Sequence, residues 1–162
     1  MFLEQSTFTI VIESTPLVSI DLIVINSRGQ ALLGKRLNRP AKKYWFVPGG
    51  RILKNESLAD AFKRLTFYEL GREFTIDQAT LLGPFDHFYD DCVFGNQTTT
   101  HYVAIAFILR LSCQLDDLPL GIQHGGYKWF VVPALLTDIT VHTHTKWYFD
   151  SYKIDLFDKE LQ

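Results

Sequence analysis

Residues 49–71, GGRILKNESLADAFKRLTFYELG, decide the reading of the chain. The double glycine closes YWFVPGG (44–50), a short strand whose bare backbone can lie close against a ligand. Leu58, Ala61, Phe62 and Leu65 then recur at helical spacing, with Asn55 as candidate N-cap and Gly71 as the stop. Stepping by the helical angle places Glu69 about 20° from Leu58 and about 40° from Leu65. Glu69 therefore falls on the apolar stripe, and in a last turn where the helix dipole disfavours an anion. A carboxylate there calls for a compensating partner. A salt bridge, a helix end that faces water, or a bound cation would each answer. A carbonyl at the double glycine and the Glu69 carboxylate could share one hard, partly hydrated ion such as Mg2+.

Working outward, PLVSIDLIVIN (16–26) is apolar and β-branched, a buried strand, and the turn NSRG (26–29) leads to a second strand, QALLGKR (30–36). TLLGPFDHFYD (80–90), HYVAIAFILRL (101–111) and YKWFVV (127–132) read as further strands, with GIQHGGY a polar loop before the last. PALL begins a short helix, and the final twenty or so residues, aromatic and charged, read as helical. Strands on both sides of a helix, with few βαβ crossovers, predict an α/β fold: a mixed β-sheet sandwiched between α-helices. The length of 162 residues suits one domain, 1–162.

Composition narrows the partners. A net charge of −2 without a basic stripe gives no basis for a generic nucleic-acid binder, while small anions need only a few placed cations. Cys92 and Cys113 are far apart and read as free thiols. The N-terminus lacks the basic start of a signal peptide, and no apolar run approaches the ~20 residues of a membrane span. The expectation is a cytoplasmic protein that engages neither membrane nor nucleic acid.

Gly50, Glu56, Arg64, Glu69 and Gly71 stand at the spacing of the Nudix box, Gly-x5-Glu-x7-Arg-Glu-U-x-Glu-Glu-x-Gly-U. Leu65 and Tyr68 replace two of its carboxylates, Arg72 its final apolar residue, and Thr66 is a poor fit to U. TPLVSIDLIV, RGQALLGKRLNRPAKKYWFVPGGR, HFYDD, TTHYV and a Gln-His pair before Y-x-W extend the likeness over almost the whole chain. Together they resemble the GDP-mannose mannosyl hydrolases, the Nudix branch with a similarly reduced box.

The resemblance implies a Nudix fold and hydrolysis of GDP-mannose, or of GDP-glucose, to GDP and free sugar. Water would attack the anomeric carbon with inversion, using one Mg2+ per site or Mn2+ in its place. By position, Gly49, Glu69 and Gln123 would hold the metal. His124 would be the base, the role histidine most often takes near neutral pH. Arg36 would brace the diphosphate, and Asp21 would hydrogen-bond sugar hydroxyls or help charge build at the sugar carbon. Phe2, Leu3 and Phe8 would meet the nucleotide, and Arg51, His87 and Tyr102 would line the substrate site. Glu56 and Arg64 would form a structural pair, Gly125-Gly126 would loosen the His124 loop, and the family's dimers imply a homodimer. Two other readings remain: a Nudix pyrophosphohydrolase cutting between the phosphates, and a nucleotide-sugar-binding module without turnover.

Overall fold

The computed structural model describes residues 3–150. Its centre is strand β1, Leu17–Ile25, which hydrogen-bonds β6, Thr100–Arg110, in parallel along its whole length. Strand β2, Ala31–Arg36, and β4, Gly49–Arg51, pair with β1 antiparallel. Strands β3, Trp45–Phe46, and β7, His124–Phe130, flank β2, while β5, Ala79–Tyr89, closes the far edge against β6. The result is a mixed seven-stranded sheet.

Alternation along β1 sorts the core into two layers, as the period of a strand requires. Ile20, Leu22 and Val24 face helix α2, Leu58–Leu70, and pack with Ala61, Phe62, Leu65 and Leu70. Ile23 and Ile25 face the opposite layer, with Leu135 of helix α3, Val132–Thr137, and Tyr148 and Phe149 just beyond helix α4, Thr143–Trp147. Because both faces are covered, β1 is apolar at every position except Ser19 and Asp21. The expected sandwich is the observed one.

Several boundaries differ from the sequence reading. The N-cap of α2 is Ser57, whose hydroxyl accepts from the Asp60 amide at 3.1 Å; Asn55 sits in the preceding turn with φ 65°. Gly71 ends the helix in the left-handed conformation at φ 74°, as expected of a glycine stop. An additional helix, α1, spans Gln5–Ser14. GIQHGGY is not one loop, because His124, Gly125 and Gly126 already belong to β7. Gly125 and Gly126 carry ladder positions, and Gly125 makes room for Leu37. The helical expectation for the chain end holds for Thr143–Trp147, and its remainder from 151 onward lies outside the described residues.

Candidate active site

Two glycines set the geometry around the helix carboxylate. A Cβ on Gly49 would lie 2.4 Å from the Ile20 carbonyl oxygen and 2.9 Å from Asp21 Oδ1, so only glycine lets β4 close onto β1 there. A Cβ on Gly34 would lie 2.4 Å from Nδ1 of His124, whose ring occupies the space above it. The β2–β7 ladder is irregular between Gly34 and Arg36, and that irregularity aligns Arg36 with His124. Leu37 N then donates to the Gln123 carbonyl at 3.0 Å. Thus Arg36, Gln123 and His124, distant in sequence, share one end of the sheet.

Glu69 is buried, at 6% exposure, on the inner face of α2. Among the described residues no Lys or Arg pairs with it; its Oε2 instead meets His124 Nε2 at 3.0 Å. His124 is itself 1% exposed, and its Nδ1 has no hydrogen-bond partner. The Gln123 side-chain amide reaches the Gly49 carbonyl at 3.0 Å. The reduced box has a structural explanation too. Leu65 packs beneath Gly50, and Tyr68, 63% exposed, points away from the sheet. Thr66 is a buried tie that accepts from the Phe74 amide at 3.0 Å and donates to the Lys63 carbonyl at 3.0 Å. Glu56 and Arg64 form a two-pronged pair at 2.6 and 2.8 Å, and Arg64 also donates to the Arg51 carbonyl at 3.0 Å. That pair fastens α2 to the strand before it.

Beside these residues opens a cavity of about 440 Å³. Asp21, Arg36, Gly49, Arg51, His87, Tyr102 and Gln123 line it, with Leu3 and Phe8 at its N-terminal side. Most of the residues singled out in the sequence therefore meet in one place. His124 and Glu69 are not lining residues; they are buried and paired with each other, and His124 follows Gln123 in the chain. Phe2 lies outside the described residues. The Arg51 guanidinium lies 4.2 Å from the centre of the Phe8 ring, and Phe94, which sequence reasoning passed over, meets the same ring edge-on at 5.8 Å.

The far wall is a buried polar cluster. Tyr148 Oη donates to Asp21 Oδ2 at 2.5 Å and contacts His87 Nε2 at 3.1 Å. His144 stacks on His87 with centroids 4.4 Å apart and planes 15° apart. Burial pushes Asp21 up to about 6, partly offset by the Tyr148 hydrogen bond and by Arg36. Burial and neighbouring histidines push His87 down to about 3, and burial holds His142 and His144 down at about 4. At neutral pH these three rings are uncharged. Tyr148 is the main omission of the sequence reading: it stands 127 positions from Asp21, and no spacing rule connects them.

No cluster of three His, Cys, Asp or Glu side chains able to hold a metal occurs among the described residues. Two donors meet here, the Gly49 backbone carbonyl and the Gln123 side-chain amide, while the Glu69 carboxylate, without a lysine or arginine partner among the described residues, is held by His124. They are the hard ligands Mg2+ prefers, and rotation of the Gln123 amide exchanges its nitrogen for its oxygen. The 3.0 Å between the amide nitrogen and the Gly49 carbonyl is an ordinary hydrogen bond that ties the two groups side by side. The donor chemistry of Gly49, Glu69 and Gln123 suits such an ion.

The NUDIX domain profile matches residues 15–151. The low-salt glycan biosynthesis protein Agl8 of Haloferax volcanii is 44% identical over 123 residues, 76% of each chain. A MutT protein of Methanosarcina mazei superposes with TM-score 0.66 at 21% identity, covering 92% of this chain and 98% of its own. A MutT NUDIX hydrolase of Burkholderia pseudomallei gives TM-score 0.67 at 23% identity over 85% and 98%. At such identities the two structures establish a shared fold.

Proposed function

The chain belongs to the NUDIX domain family, and from that premise we propose that it hydrolyses GDP-mannose to GDP and mannose by attack of water at the anomeric carbon, with Mg2+. One observation carries the reading: of the box positions on α2, Glu69 is the single carboxylate buried against the sheet, paired with His124, while Leu65 is buried in the core and Tyr68 faces out. Cleavage at phosphorus in this fold draws on a crowd of carboxylates for several ions. Attack at carbon asks for one cation to steady a departing diphosphate. The name of the Haloferax volcanii relative fits, since glycan assembly draws on nucleotide sugars.

The cavity divides accordingly. Arg36 and Arg51 supply forked donors for diphosphate oxygens. Phe8, backed by Arg51 and Phe94, offers a face for the purine. Asp21 and His87 take the sugar end. When held by Gly49, Glu69 and Gln123, Mg2+ supplies charge neutralisation on the leaving group. GDP is a good leaving group, so no protein acid has to protonate it. His124 is the proposed base: its Nε2 faces Glu69 and its Nδ1 lies against Gly34, so Nε2 accepts the proton of the attacking water only in the tautomer that keeps the ring proton on Nδ1. Its hydrogen bond to Glu69 must open first, so the base is held in reserve until that carboxylate is otherwise engaged.

The test is product identity. With GDP-mannose and Mg2+, the expected products are GDP and free mannose, and a chelator stops their release. GMP with mannose 1-phosphate would replace this reading by pyrophosphate cleavage. Tight binding without turnover would make the protein a nucleotide-sugar-binding module.

A further inference from the structure

The Tyr148 hydroxyl has one proton and two neighbours. Asp21 Oδ2, at 2.5 Å, is the nearer, and an ionised carboxylate can only accept. The proton therefore lies toward Asp21. The 3.1 Å contact with His87 Nε2 is then favourable only if that nitrogen carries a proton and donates it to the tyrosine oxygen. In a neutral ring this leaves His87 Nδ1 as an acceptor, 4.0 Å from Asp21 Oδ2 and beyond hydrogen-bonding distance of it. The ring has little freedom to answer otherwise. His144 stacks on one face, and Phe46 and Trp147 stand 6.0 Å from its centre. Asp21 and His87 line the cavity, and Tyr148 stands fully buried behind both.

We infer that Tyr148 is a positioning residue that fixes the His87 tautomer and the Asp21 carboxylate together, so that this corner of the cavity presents only acceptors. A corner of two acceptors takes hydroxyl donors and repels phosphate oxygens. It orients a GDP-sugar with the sugar's hydroxyls at Asp21 and His87 and the diphosphate at Arg36 and Arg51. The orientation rests on the proposed GDP-sugar reading; the tautomer lock does not.

Two measurements on the full-length protein with Mg2+ separate them. Nitrogen-15 NMR of the His87 ring should show the proton on Nε2 in the wild type, and a mixture of tautomers in Tyr148→Phe, which keeps the buried ring. A proton on Nδ1 in the wild type overturns the inference, whatever the variant does. An Nε2 proton that persists in the variant overturns it as well. Tyr148→Phe should also lower kcat/KM for GDP-mannose about tenfold, the scale of one lost hydrogen bond to a charged group. The wild type should discriminate against monodeoxy-mannose analogues of the substrate, and the variant should lose much of that discrimination. A purely packing role for Tyr148 would leave tautomer and discrimination untouched and overturn the proposal. Absence of any GDP-mannose turnover would sink the substrate reading, and the NMR result would still decide the lock.

Discussion

The two faces of β1 carry polar pairs built on opposite plans. On the α2 face, Glu69 meets His124 across 55 residues, and one member sits in a box legible from its spacing. On the α4 face, Asp21, His87 and Tyr148 form a chain spanning 127 residues, and no member announces the others. Both are buried, and both lack a lysine or arginine partner among the described residues. They differ in what the surroundings demand. The Glu69 carboxylate is held by His124 on one oxygen, through a contact that depends on the ring's tautomer. Asp21 already has a donor in Tyr148, and its environment is organised to hold hydrogen bonds rather than to open. Under the proposed function, the contrast puts chemistry on the α2 face and recognition on the α4 face.

The strongest way to break that division is His124→Gln. It should reduce kcat by about 10²–10⁴-fold, the usual worth of a positioned base, while GDP affinity holds. An unchanged rate would move the chemistry off the α2 face. Next is Gly34→Ala, whose new Cβ would stand 2.4 Å from the His124 ring. The ring must shift, and a displacement of about 1 Å is enough to cost about 10²-fold in turnover. Full activity would show that the observed ring position is irrelevant to catalysis.

The α4 face should reveal itself in stability instead. His87, His142 and His144 hold folded-state values of about 3, 4 and 4, below the ordinary 6.5. Between roughly pH 4 and 6.5 the unfolded chain therefore binds more protons at these sites. Their contribution is present above 6.5 and is lost as pH falls. Asp21, raised from 3.8 to about 6, acts oppositely over about pH 4 to 6, because there the folded state holds the extra proton. Three groups outweigh one, so urea midpoints should fall from pH 7 to pH 5, and His144→Gln should flatten the decline. A midpoint that rises on acidification would contradict this account of the cluster. The smallest effect belongs to Ser57→Ala, which removes the α2 cap and should cost about 1 kcal/mol in urea unfolding with little change in kcat. A large loss of activity there would mean that fraying α2 moves Glu69.

What was legible in the sequence follows from the range of the interactions. The strands declared themselves through β-branched apolar runs, and α2 through its 3.6-residue period. Glu69 was placed on the inner stripe by the same period. Helix α1 was not legible, because QSTFTIVIES is rich in β-branched residues that favour strands. His124 was read into a loop because two glycines follow it. The structure instead uses the small residues Gly34 and Gly125 to admit the His124 ring and Leu37. Tyr148 could not be read at all, since its partners arrive only when β1, β5 and the α4 layer assemble.

The central claim, attack at carbon supported by one inward carboxylate, is tested most directly by the fate of the water oxygen. GDP-mannose turned over with Mg2+ in ¹⁸O-water should yield labelled mannose and unlabelled GDP. Label in a phosphate group of the products would contradict it.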